Sequence, residues 1–71
     1  MSINWGIIGT GVIANTFANE FNQVGDGTLL AVASRSKENA EEFAAVNSIK
    51  RAYEGYESIV KDEDLDIIYI A

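Results

Sequence analysis

Cysteine and histidine are both missing from this 71-residue chain, and so is proline. The first absence rules out disulfide staples, and the second removes the commonest metal ligand. No metal site is therefore expected. Long apolar runs are also missing: nothing approaches the ~18 consecutive apolar residues of a membrane span. The start, Met1-Ser2-Ile3-Asn4-Trp5, has no basic segment, and Gly9 and Gly11 break the apolar run behind it, so no signal peptide is expected. The compartment these absences suggest is the cytoplasm. Positive charge is scarce as well, with five basic residues against eleven acidic ones and a net charge of −6. That balance opposes non-specific binding to nucleic acid or anionic lipid, and neither is expected as a partner. Nine of the acids lie from Glu38 onward, including Asp62-Glu63-Asp64, which reads as a solvated turn.

Apolar residues, by contrast, are plentiful at 48%, which fits a packed core and argues against disorder. A domain of this size buries only roughly 60% of the surface its unfolded chain exposes. The chain thus has the composition of a larger domain's interior without the staples of a small one.

The apolar pattern changes period along the chain. Residues 3–8 form a short apolar run, a candidate buried strand ending at Gly9. Ile13, Phe17, Phe21 and Val24 then recur at helical spacing with Ala14 and Ala18 beside them, predicting an amphipathic helix that stops near Gly25. Asp26-Gly27 supplies a turn, and residues 28–33 a second apolar strand. Ser36 is a good cap for a second helix, with Glu38 in its first turn and Ala40, Phe43, Ala44 and Asn47 in helical period. Residues 49–53 read as a short third strand, whose Lys50 and Arg51 place it at a sheet edge. Tyr56, Ile59 and Val60 suggest a short helix, and residues 66–71 a last strand. Tyr53, Tyr56 and Tyr69 read as core or sheet-surface residues.

The order is β-α-β-α-β-α-β. Strands apolar on both faces need helices on both faces, so the expected fold is α/β: a Rossmann-type, doubly wound parallel sheet in strand order 3-2-1-4. It is partial, since a full dinucleotide domain has about six strands. Residues 1–71 are thus expected to be the N-terminal part of a dinucleotide-binding domain, the rest of which lies elsewhere. Bare Ile67, Ile68, Tyr69 and Ile70 at an edge would favour self-association of the isolated chain.

Gly9-Thr10-Gly11-Val12-Ile13-Ala14 fits G-x-G-x-x-A directly after a strand and at the start of a helix. A second strand ends about 23 residues beyond Gly11. That context makes the motif a dinucleotide fingerprint. Gly9 permits the tight turn, Gly11 lets a pyrophosphate approach the backbone, and Ala14 lets the helix lie close on the strands. Free N–H groups of the first helical turn would meet the diphosphate. A methyltransferase-like nucleoside site and a turn without ligand are the alternatives.

The end of the second strand indicates which dinucleotide. NAD sites usually place an Asp or Glu there for the ribose 2′-OH. Here the residues are Ser34, Arg35, Ser36 and Lys37, with no acid before Glu38. Arg35 offers a rigid donor fork to a 2′-phosphate, the serines add hydroxyls and Lys37 a point charge. NADP is the expected cofactor, with NAD the alternative.

With those residues in hand, the chain resembles the N-terminus of the glucose–fructose oxidoreductase / inositol dehydrogenase / MocA family. The matching blocks are Trp5-Gly6-Ile7-Ile8-Gly9-Thr10-Gly11-Val12-Ile13-Ala14, Ala31-Val32-Ala33-Ser34-Arg35-Ser36 and Ala40-Glu41-Glu42-Phe43-Ala44. Tyr56-Glu57-Ser58-Ile59-Val60 and Asp66-Ile67-Ile68-Tyr69-Ile70-Ala71 complete them. The basic segment is similar to that of the NADP-using dihydrodiol dehydrogenases and sugar reductases. The resemblance implies that Gly9, Thr10, Gly11, Val12 and Ile13 line the pyrophosphate. It also implies that Ser34, Arg35, Ser36 and Lys37 surround the 2′-phosphate, and that Ile70 and Ala71 approach the nicotinamide-side ribose. It further implies a parent oxidoreductase with a separate substrate domain, expected to be a homo-oligomer, that transfers a hydride between the nicotinamide cofactor and a small hydroxyl or carbonyl substrate. The family's Thr-Pro-Asn-x-x-His and Glu-Lys-Pro segments, the latter with its catalytic lysine, are not in this sequence. No catalytic residue is therefore assigned, and the 71 residues alone are expected to be inactive. A non-catalytic nucleotide-sensing module and an interaction fragment with an unused glycine turn are the competing readings.

Overall fold

The computed structural model describes residues 3–24 and 27–71. The side chain of Val24 and the Asp26 half of the expected turn lie outside that description. In chain order the elements are β1 (Ile3–Ile8), α1 (Val12–Val24), β2 (Gly27–Ser34), α2 (Lys37–Asn47), β3 (Arg51–Glu54), α3 (Tyr56–Val60) and β4 (Ile67–Ile70). The strands form one sheet in the order β3-β2-β1-β4, and all three pairings are parallel. Both the topology and the parallel, doubly wound class match the sequence reading.

Strand alternation sorts the core into two layers. Ile7, Leu29 and Val32 face α1 and α2, where they meet Ala14, Ala18, Phe43 and Ala44. Ile8, Ala31 and Ala33 face the other way, onto Ile59 of α3. The chain winds β1 to β2 to β3 in one direction, then crosses back to lay β4 against the far side of β1. The ends of β1 and β4 therefore form the switch point of the sheet, the crevice where open α/β sheets take their ligands.

Three expectations need correcting. The helical stripe through Ile13 is not the buried one: Ile13 is 63% exposed, whereas Ala14 and Ala18 are fully buried. Small residues let the α1 axis approach the strands, so its bulkier side chains flank the contact. Phe17 and Phe21 are half-buried beside Trp5, with ring centroids 6.0 and 5.7 Å away, and Phe17 stacks on Tyr69 at 4.2 Å. The third strand begins at Arg51, later than expected, because Ser48 takes a left-handed conformation (φ 57°) that closes α2. Ile49 then donates its N–H to the Ala44 carbonyl and is buried as the plug beneath the helix end. The third concerns Asp62, whose side chain is folded against β3 and not spread in a solvated turn. β3 is an edge strand as its charges predicted. β4 is the opposite edge, with Ile68 and Tyr69 half-buried and Ile67 and Ile70 exposed. No described helix is long and apolar enough to cross a membrane.

Candidate dinucleotide site

The site begins where three strands end. Gly9 donates its N–H to the Ala33 carbonyl (2.8 Å) and Ala71 donates to the Ile8 carbonyl (3.0 Å), so the ends of β1, β2 and β4 are tied together. Gly9 sits at φ +113°, a conformation that side chains disfavour. A Cβ there would make only an ordinary contact with Ala71, at 3.5 Å, so the conformation and not crowding is what favours glycine. Gly11 differs. Its φ is not positive, and a Cβ built on it would meet nothing within 4 Å. Backbone conformation favours glycine at position 9, whereas position 11 has neither a positive φ nor a neighbour that a side chain would meet.

The helix starting there has bare donors. The first bond of α1 runs from the Asn15 N–H to the Gly11 carbonyl (3.0 Å), so the N–H groups of Val12, Ile13 and Ala14 have no intrahelical acceptor. No acid occupies the first turn. A hollow of about 320 Å³ opens above it, lined by Gly9, Gly11, Val12, Ile13, Ala14 and Ala71. Val12 is 82% exposed on its wall. Unpaired donors at the positive end of a helix, beside a glycine with free space, form a cradle fitted to a diphosphate.

The second group of predicted residues lies at the end of β2. Ser34 is buried, and its Oγ accepts the Ser36 N–H at 3.3 Å. Ser36 takes the extended conformation of a cap, and its Oγ accepts the Asn39 N–H at 3.3 Å. The two serines thus shape the turn, while Arg35 and Lys37 are exposed on either side of Ser36. Both cations are at the C-terminal end of the sheet, as is the α1 cradle. Neither they nor Ile70 line the hollow. Thr10 lines a separate hollow of about 250 Å³ between α1 and α2, with Asn15, Asn39 and Glu42.

A polar cluster absent from the sequence reading sits under the β3 edge. Asp62 is not part of a solvated turn, since its side chain is only 4% exposed. It accepts from Arg51 Nη1 with both oxygens (2.9 and 2.8 Å), from Tyr53 Oη (2.7 Å) and from the Asp64 N–H (2.9 Å). Arg51 Nη2 also pairs with Asp64 (2.9 Å). Arg51 above all, then Tyr53, holds the Asp62 carboxyl below the usual carboxylate range, and Asp62 in turn raises the Tyr53 phenol. The sequence signal for this cluster was Arg51 and Tyr53 two apart on a strand, hence on one face. Among the described residues, no group of three or more acidic side chains is placed to hold a metal ion.

Comparison with known proteins identifies the family and matches the fold. The family model described as an oxidoreductase family with NAD-binding Rossmann fold (GFO_IDH_MocA) matches residues 3–71. A curated relative, trans-1,2-dihydrobenzene-1,2-diol dehydrogenase of Xenopus laevis, is 40% identical over 72 residues, covering 99% of this chain and 22% of the relative. The chain thus spans about a fifth of that protein's length. Among solved structures, KijD10, a 3-ketoreductase from Actinomadura kijaniata in complex with NADP, superposes with a TM-score of 0.89 at 26% identity, covering 97% of this chain and 22% of that one. Levoglucosan dehydrogenase in complex with NADH gives 0.93 at 20% identity, covering 100% and 21%. The second likeness bears on the fold alone.

Proposed function

This chain belongs to the Gfo/Idh/MocA oxidoreductase family, and we propose that it binds the diphosphate and adenosine half of a nicotinamide dinucleotide, NADP in preference to NAD. The observation that carries the reading is the bare N-terminus of α1 at the switch point, where Gly11 leaves open a space that packing does not require. The N–H groups of Val12, Ile13 and Ala14 would hold the diphosphate, and Ala14, fully buried, keeps the helix close enough to present them. Arg35, exposed and flanked by two serines that fix its turn, would meet the 2′-phosphate with Lys37 beside it. Ser36 can cap α2 through its lone pair and still donate its own proton. Ile70 and Ala71 would flank the nicotinamide-side ribose.

The bound cofactor would supply the hydride chemistry; this segment supplies its grip and orientation. In the parent protein the substrate would be a small molecule bearing a hydroxyl or carbonyl, of sugar, polyol or dihydrodiol type. The curated relative named above is a dihydrodiol dehydrogenase, and the solved structure at 26% identity is a 3-ketoreductase. None of the described residues is assigned the task of moving the substrate's proton, and in this reading that group would be supplied by other parts of the parent. We further propose a cytoplasmic, homo-oligomeric parent.

The test is a titration of the full-length protein with both cofactors, wild type and Arg35→Ala. NADP should bind tighter than NAD. Losing the charged fork should weaken NADP by about 10-fold or more while NAD changes little. Equal or tighter binding of NAD by the wild type would refute the preference.

A further inference from the structure

The Asp62 cluster lies on the α3 side of the sheet and lines neither hollow at the strand ends, yet it is joined to the turn that carries Arg35. We propose that Asp62 is a positioning residue for the turn at residues 34–37, clamping β3 so that its C-terminal end holds that turn ready for a 2′-phosphate. The inference rests on the NADP reading above for its ligand.

A carboxylate has about four lone-pair sites, and Asp62 has all of them engaged by Arg51 twice, Tyr53 and the Asp64 N–H. A saturated, buried carboxylate has nothing left to offer a ligand. Its output is geometry. Such a network repays little of its desolvation cost as net stability, while fixing the relative placement of the groups that form it.

The element being placed is one that needs it. β3 has four residues and only one strand neighbour, β2. Arg51 and Tyr53 extend from it on the α3 side, where Tyr53 packs against the layer of Ile8, Ala31, Ala33 and Ile59. Asp62 reaches both across α3, so the clamp closes the chain between Tyr53 and Asp62 around that helix. The residue after Tyr53 pairs with Ser34 in the β2–β3 register, and the Gly55 N–H donates to the Ser34 carbonyl at 2.7 Å. Ser34 Oγ then accepts from Ser36, and Ser36 caps α2. Asp62 is thus connected to the Arg35 turn by an unbroken series of hydrogen bonds and one strand end.

The measurement uses Asp62→Asn and Tyr53→Phe in the full-length protein, with two readouts. The first is the affinity for NADP and for NAD. The Asp62→Asn protein should lose about three- to tenfold in NADP affinity, with NAD held within about twofold. Tyr53→Phe, which removes only the 2.7 Å bond, should shift the ratio the same way by less, and it decides the matter if Asp62→Asn fails to fold. The second readout is amide hydrogen exchange without cofactor. Exchange at Ser36 and Asn39 should accelerate in both variants, while exchange at Asn15, which donates within the α1 turn, should not. Folded variants with an unchanged NADP-to-NAD ratio and unchanged exchange at Ser36 and Asn39 would overturn the proposal, as would an equal loss of both cofactors. A wild type without NADP preference would instead refute the NADP reading, and with it the ligand named here. Exchange at Ser36 and Asn39 would then still decide whether the clamp exists.

Discussion

Two helices, α1 and α2, start at the same end of the same sheet and pack on the same face, yet their N-termini are built in opposite ways. α2 completes itself: Ser36 caps the Asn39 N–H, and Glu38 places a negative charge in the first turn. α1 does neither. It starts from two glycines, has no acid in its first turn, and presents exposed Val12 and Ile13 to solvent. If stability alone shaped the ends, α1 would be finished like its neighbour, because a cap and a first-turn acid each favour a helix by a few tenths to about 1 kcal/mol. The contrast is what the proposed function calls for, with the open end taking an anion from outside and the closed end holding the turn proposed to tell one dinucleotide from another.

The largest effect that would break this comparison is expected from Gly11→Asp. The backbone at Gly11 is not in the left-handed region and the added atoms meet open space, so stability should change by no more than about 0.5 kcal/mol. The carboxylate would fill the diphosphate cradle and repel its occupant, so dinucleotide affinity should fall about 100-fold or more. Parallel denaturant melts and cofactor titrations of the full-length protein separate the two. A variant that loses stability in proportion to affinity would mean that Gly11 serves the fold after all.

Most of this architecture was legible because it rests on short-range rules. Short unbroken apolar runs against helical spacing marked out the seven elements, Ser36 announced its cap, and the glycine turn announced the switch point. What was illegible depended on knowing which elements are neighbours. Ile13 has helical spacing with Phe17 and Phe21, but spacing does not reveal that Ala14 and Ala18 form the true contact row. Asp62 looks like any acid in a surface turn until β3 is laid at the sheet edge and brings Arg51 and Tyr53 to it across nine to eleven residues of chain. The site divides in the same way. The cradle residues were readable from one local motif, whereas the bracing roles of Ser34 and Ser36 appeared only with their hydrogen bonds.

The closed end offers the next test. Ser36→Ala removes the side-chain acceptor for Asn39 and should cost about 0.5–1 kcal/mol. The lower half of the usual range applies because the bond is long, 3.3 Å. Exchange should accelerate at Asn39 and Ala40 and stay unchanged at Asn15. An α1 end that loosened equally would show that the two helix starts are one cooperative unit.

The most discriminating change makes the start of α1 resemble that of α2. Val12 is 82% exposed at the first helical position, so Glu fits there without repacking. The new carboxylate meets the positive end of the helix and should stabilise the protein by about 0.3–1 kcal/mol at low salt. It also stands beside the diphosphate cradle, where like charge should weaken dinucleotide binding by about tenfold. Val12→Gln adds similar bulk without charge and should do neither. Raising the salt concentration should shrink both effects of Val12→Glu together, because both come from the same exposed charge. A stability gain that left affinity untouched would place the ligand away from this helix end, and the contrast between the two N-termini would then need another cause.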